Sequence, residues 1–254
     1  MRRVQYHRSV RLYATAVGLS VLGSAGGLLT ASTFLLLGDH IRVRLVPWLI
    51  SYAVGTLLGV ALLALLPEAL EHIAPVPAFT TLLAGVLAFF LLEKFVLWRH
   101  CHDTHECEVH TSSAASLVII GDAFHTFVDG AVIAAAVLTS VPLGITTALA
   151  VATHEIPQEV GDVAILLRAG FSRGRAFMLN LLAGVGGILG AIGMLLASEW
   201  IPNLLPYVLS FAAGNFLYIA MSDLIPDLHR GGVEGGPIRQ LLLIVAGVAT
   251  ISLL

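Results

Sequence analysis

Charge is scarce in this sequence. Only 11% of its 254 residues are Asp, Glu, Lys or Arg, against roughly 25% in an ordinary soluble domain. With 57% hydrophobic residues beside that shortage, a soluble globule is excluded, because the polar residues are too few to cover the apolar surface. Thirteen Lys and Arg with no basic run exclude a nucleic-acid partner. The glycines follow no Gly-X-Y period, which excludes collagen-like order, and the apolar richness excludes disorder. The chain has to be read with the lipid bilayer as its solvent.

Crossing the hydrocarbon takes about 20 apolar residues in a helix. Charge, His and Pro divide the chain into eight such segments, at Leu12–Leu37, Pro47–Leu66, Val76–Leu97, Ala114–Leu138, Val141–Leu167, Ala176–Leu196, Asn203–Ile225 and Pro237–Leu254. They are continuous apolar stretches and not alternating ones, which argues against a β-barrel. The first follows Arg2, Arg3 and Arg8 like a signal peptide, but it outruns the about 7–15 residues of a signal-peptide core. It is read as a spanning helix. The predicted fold is an all-α integral membrane protein with eight transmembrane helices in a single membrane domain, residues 1–254.

Loop charge predicts the orientation. The odd-to-even connections carry Arg42, Arg44, Arg99, Arg168, Arg173, Arg175 and Arg230, with Lys94 and Arg239 flanking them, whereas the even-to-odd connections carry no Lys or Arg. That asymmetry places the first set in the cytoplasm and both termini outside, in a cell (inner) membrane. The N-terminal tail, with Arg2, Arg3, Arg8 and Arg11, pulls the other way and is outnumbered.

An internal repeat runs at an offset of 159, pairing Ser51, Ala53, Gly55, Leu66, Pro67 and Glu68 with Ser210, Ala212, Gly214, Ile225, Pro226 and Asp227. Gly26-Gly27-Leu28-Leu29 likewise returns as Gly186-Gly187-Ile188-Leu189. Helices five apart run opposite ways through the membrane. The pattern therefore predicts an inverted repeat of helices 1–3 and 6–8 around helices 4–5, as in many transporters. Small residues recurring in any helical bundle are the alternative source of the match, and glycine-rich faces leave a homodimer open.

Helices four and five carry the costly residues. Helix four contains GDAFHTFVDG, residues 121–130; at about 100° per residue, His125 and Asp129 fall at about 300° and about 340° from Asp122, in one stripe. Helix five contains HEIPQEVGD, residues 154–162, where His154, Gln158 and Asp162 share one row and Glu155 and Glu159 the next. His125 and His154 lie near the helix midpoints. An ionised carboxylate at that depth costs about 2.5–3.5 kcal/mol, so Asp122, Asp129, Glu155, Glu159 and Asp162 would cost on the order of 15 kcal/mol unpaired. No Lys or Arg lies inside either helix. Two imidazoles among carboxylates are a ligand set for a divalent transition metal, which would bring the missing positive charge. Pro157 frees the carbonyl of Thr153 and predicts a kink beside this zone.

GDAFHTFVDG and HEIPQEVGD resemble the fourth- and fifth-helix signatures of the ZIP (Zrt/Irt-like) family of divalent-metal transporters, the second motif being most like the LIV-1-type branch. GNFLYIAMSDLIPDLH, residues 214–229, is also similar to that family. The resemblance implies a transporter that moves zinc, or iron, manganese or cadmium, into the cytosol as its substrate, with no organic cofactor. It assigns His125 and Asp129 on helix four and His154, Glu155 and Gln158 on helix five to the metal, and the stripe on helix four adds Asp122 as a candidate. The branch usually has His at Gln158 and Asn at Thr126. Some members bind a second metal through a helix-six carboxylate, which Ala176–Leu196 lacks, so a full binuclear site is not expected.

The connection between helices three and four, residues 99–113, contains RHCHDTHECEVH. Its His and Cys density suits zinc, and as a cytosolic segment it would keep Cys101 and Cys107 reduced as transient ligands or a metal sensor. Two other functions compete. An intramembrane zinc metalloprotease would need a second His one turn after His154, as in HExxH, and position 158 is Gln. A proton-coupled carrier would use the carboxylates as a relay, but no docking site for an organic solute is recognisable.

Overall fold

The computed structural model describes residues 2–34, 37, 39–98, 110–230 and 236–254, and among them long helices follow one another with no strand. We number these helices α1 (Arg2–Phe34), α2 (residues 39–72), α3 (Pro75–Trp98), α4 (His110–Thr139), α5 (Val141–Arg168), α6 (Arg173–Trp200), α7 (residues 204–230) and α8 (Gly236–Leu253). Each corresponds to one of the eight predicted spans, the first as far as Phe34. Seven are long and apolar enough to cross a bilayer. The remaining one, α5, is made less apolar by His154, Glu155, Gln158, Glu159 and Asp162, yet its 28 residues extend about 42 Å. Most of the His/Cys-rich connection, residues 99–109, lies outside the described residues.

The repeat read from the sequence reappears in backbone geometry. α2 widens into a π-helix at Val60–Leu65 and α7 does so at Ile219–Leu224, 159 positions later, each just before its proline, Pro67 or Pro226. Packing repeats as well, since α2 lies on α8 as α7 lies on α3. A Cβ on Gly55 of α2 would come 2.0 Å from the Ile244 carbonyl oxygen, and one on Gly214 of α7 would come 2.0 Å from that of Leu82. The contacts add something the sequence did not show. α1 packs on α5 as α6 packs on α4, so the central pair also takes equivalent places, exchanged by the same pseudo-symmetry.

Two local features fix α4, one against α5 and one against α6. α4 ends at Thr139 and α5 begins at Val141, so Ser140 alone connects them; its hydroxyl caps α5 by accepting from the Leu143 N–H at 3.3 Å. α4 is also clasped by α6 along small residues. A Cβ on Gly130 would stand 1.9 Å from the Gly187 carbonyl oxygen, and one on Gly190 would stand 1.8 Å from that of Phe127. Backbones this close replace the missing hydrophobic drive between helices in lipid with van der Waals contact.

Candidate metal site

Near the midpoints of α4 and α5, four side chains converge. His125, Asp129, His154 and Glu155 are all buried, and each offers one ligand atom within 4.8 Å of the others. His125 Nε2 lies 3.2 Å from His154 Nε2, 3.4 Å from Asp129 Oδ2 and 3.8 Å from Glu155 Oε1, while His154 Nε2 is 3.2 Å from Asp129 Oδ2. The sequence spacing explains the convergence: four residues separate His125 from Asp129 on one helix face, and the short connection at Ser140 brings His154 opposite.

The hydrogen bonds sharpen what this cluster lacks. His154 Nδ1 donates to the Ala150 carbonyl at 3.0 Å, since a carbonyl only accepts. A neutral His154 therefore turns its Nε2 lone pair into the cluster, where it accepts from the His125 Nε2–H at 3.2 Å; an imidazole oriented from behind in this way is what metal-binding histidines use. Both carboxylate oxygens of Asp129 and of Glu155 are buried without a hydrogen-bond partner. Buried acceptors aimed at one another are costly unless something positive lies between them. Phe89 and Phe216 close the cluster edge-on, with ring centroids 6.1 Å from His125 and 5.9 Å from His154.

The other sequence-predicted residues lie outside this quartet. Asp122, one turn before His125, is buried, and its Oδ1 is 3.4 Å from the hydroxyl of Thr126, which also donates to the Asp122 backbone carbonyl at 2.7 Å. Gln158 is only partly buried and lines a cavity of about 570 Å³ that also touches His125, His154, Pro157 and Asp162. α5 continues as α-helix through Pro157. One turn before it, the Thr153 hydroxyl meets that of Thr56 from α2 at 2.7 Å.

The same cavity holds residues that the sequence analysis did not assign to a site. Glu93 from α3 and Tyr218, Asp223 and Asp227 from α7 line its far part, and the Tyr218 hydroxyl donates to the Glu93 carboxylate. A separate cavity of about 520 Å³ opens at the opposite ends of the helices, lined by Glu68 and His72 of α2 with Thr139, Ser198 and Asn203, and it does not touch either histidine of the quartet.

α1 supports the quartet from behind. A Cβ on Gly27 would lie 2.8 Å from Glu155 Cβ, whereas one on Gly26 would meet nothing within 4 Å. Gly27→Val is expected to push Glu155 off the cluster and weaken binding of a divalent metal there by about tenfold or more, the scale on which disturbed ligand support acts. Gly26→Val serves as the control. Equilibrium binding of radioactive zinc to each purified variant in nanodiscs checks both.

Comparison with known proteins points the same way. Residues 98–254 match the family model described as ZIP Zinc transporter. Zinc transporter ZIP13 of Pongo abelii is 35% identical over 237 residues, covering 85% of this chain and 70% of that protein. Zinc transporter ZIP13 of Homo sapiens is 31% identical over 273 residues, covering 85% and 74%. Zinc transporter ZIP10 of Danio rerio is 37% identical over 123 residues, which is 48% of this chain and 14% of that protein.

Proposed function

Because the chain belongs to the ZIP zinc transporter family, we propose that it carries a divalent transition-metal ion, zinc foremost, into the cytosol through the cluster of His125, Asp129, His154 and Glu155. It is a multi-pass membrane protein. The observation that carries the reading is the convergence of two imidazoles and two unpartnered carboxylates within 4.8 Å. That set has the donor types and the charge that a dication needs, and a passing ion removes the cost of leaving them bare in lipid.

The loop charges favour both termini outside, so the ends of α3, α5 and α7 face the cytosol. Two cation–π contacts at that end fit an interfacial belt: Arg239 lies 5.0 Å from the Trp48 ring and Arg175 lies 5.0 Å from the Phe171 ring. In this orientation the 570 Å³ cavity is the cytosolic exit. It reaches the histidines while the opposite cavity does not, so the conformation is inward-open. Transport then requires the opposite state, in which the cluster meets the Glu68 and His72 side. Gln158, on the cavity wall, becomes a ligand on the exit side, and Asp122 is buried one turn before His125.

Proteoliposomes test this. Wild type is expected to accumulate zinc, His125→Ala is expected to lose that flux, and a chain with His100, His102, His105 and His110 replaced by Ser is expected to keep most of it. Unchanged flux in His125→Ala would overturn the site, as would abolished flux in the loop variant. Cleavage of a membrane substrate that depends on Glu155 would favour the protease instead.

A further inference from the structure

Packing divides the described helices into two groups. α1, α4, α5 and α6 lie against one another and carry the whole quartet, while α8 lies on α2 and α3 on α7, with α2 and α7 in mutual contact. The groups meet mainly where α2 lies on α5 and α7 on α4. Several hydrogen bonds between helices respect the division. Tyr13 donates to Glu199 and Ser20 to the Gly130 carbonyl within the first group; Tyr52 donates to Thr250 and Tyr218 to Glu93 within the second.

The pair of Thr56 on α2 and Thr153 on α5 crosses from one group to the other. Its hydroxyl oxygens are 2.7 Å apart, and each also reaches a carbonyl of its own helix, that of Ala53 at 2.9 Å and that of Ala150 at 2.8 Å. A hydroxyl has one hydrogen to give, so one threonine donates across the gap while the other donates to its own helix. Thr56 is fully buried. Thr153 immediately precedes His154, which puts the bridge beside a ligand.

One repeat further on, at the offset of 159, the place of Thr56 is taken by Asn215. The glycines just before them are equivalent, since Gly55 touches the α8 backbone as Gly214 touches that of α3. The step that turns the chain from α8 at Gly55 to α5 at Thr56 therefore turns it from α3 at Gly214 toward α4 at Asn215, because the repeat exchanges α5 with α4. Asn215 is 0% exposed, yet its Nδ2 and Oδ1 have no hydrogen-bond partner. One half of the repeat has a closed polar bridge where the other has a buried amide left open, at a cost.

We propose that these two places are alternating latches: the Thr56–Thr153 bridge holds the inward-open state, and Asn215 gains a partner on α4 in the opposite state, where the threonine bridge is broken. The inference rests on the reading of this conformation as inward-open. In a transporter built from inverted repeats, one group of helices rocks against the other around the site. The two halves then trade arrangements, so a contact closed on one side is open on the other. A hydrogen bond between membrane helices is worth little, enough to bias two states without trapping either.

Distances between spin labels test it without any metal. The full chain in lipid nanodiscs has Cys101 and Cys107 replaced by Ser and carries labels at Arg173→Cys on α6 and Ile238→Cys on α8, two exposed positions in different groups. Double electron–electron resonance is expected to give two distance populations. Thr56→Val and Thr153→Val, which keep the side-chain shape, should each move their ratio about threefold away from the distance of this structure, the average worth of a hydrogen bond between membrane helices. The two together should move it no further, and Thr56→Ser should leave it in place. Asn215→Leu added to Thr56→Val should move the ratio about threefold back. A ratio unmoved by either valine variant would overturn the proposal, as would valine shifts that add. Asn215→Leu moving the ratio the same way as Thr56→Val, or not at all, would overturn it equally. The reading of the quartet fails separately, if zinc binding survives His125→Ala with His154→Ala while the distances respond as expected.

Discussion

Replacing His154 with Ala is expected to reduce zinc uptake by at least about 100-fold, at or beyond the top of the range seen when a metal ligand merely loses its support. His154 is 1% exposed and its Nε2 sits 3.2 Å from both Asp129 Oδ2 and His125 Nε2. Removing it takes away the imidazole that Ala150 orients and leaves Asp129 and Glu155 facing a gap. The chain should still fold. α5 is held by the capped turn at Ser140 and by its packing on α1, α2 and α4, neither of which uses the imidazole. Proteoliposome flux, with far-UV circular dichroism to confirm helix content, separates a lost ligand from a lost fold.

The second large effect concerns the scaffold. Gly190→Leu should prevent α4 and α6 from closing, because even a Cβ there would stand 1.8 Å from the Phe127 carbonyl oxygen and 3.1 Å from the Ala131 nitrogen. Backbone on an adjacent helix cannot rotate aside as a side chain does. The cost should exceed the about 1–3 kcal/mol of an ordinary overpacked core and lower the melting temperature by about 10 °C or more. Gly18→Leu, where an added Cβ meets nothing within 4 Å, should leave melting nearly unchanged. Thermal melting followed by size-exclusion chromatography in detergent measures both variants.

Much of the fold was legible because lipid imposes a simple rule. Apolar runs of spanning length had to become helices, and eight did. Their ends were less legible. α2 and α7 continue to residues 72 and 230, beyond the predicted Leu66 and Ile225, because Pro67 and Pro226 stand in the first turn after a π-helical segment, where a missing N–H is tolerated. The quartet was legible for a related reason: charged residues at the midplane are rare enough that each one demands an account.

What escaped the sequence depended on three-dimensional neighbours. Asn215 gave no periodic signal, being one amide in an apolar stretch, and only burial without a partner marks it. Glu93 and Tyr218 are 125 positions apart and meet only because α3 packs on α7. Asp122 and Asp129 fall in one stripe, yet only Asp129 reaches the histidines of both helices, a distinction that 100° spacing alone does not make. The equivalence of α4 and α5 was hidden for a different reason, since it lies in which helices they touch more than in which residues they share.

Zinc K-edge X-ray absorption on the zinc-loaded full chain in nanodiscs tests the central claim most directly. A stoichiometric zinc with a nitrogen and oxygen shell at about 2.0–2.1 Å, carrying the outer scattering of two imidazoles, is expected, and it should disappear in His125→Ala with His154→Ala. A shell dominated by sulfur at about 2.3 Å, or a nitrogen and oxygen shell unchanged in that variant, would show that the metal sits elsewhere and contradict the account.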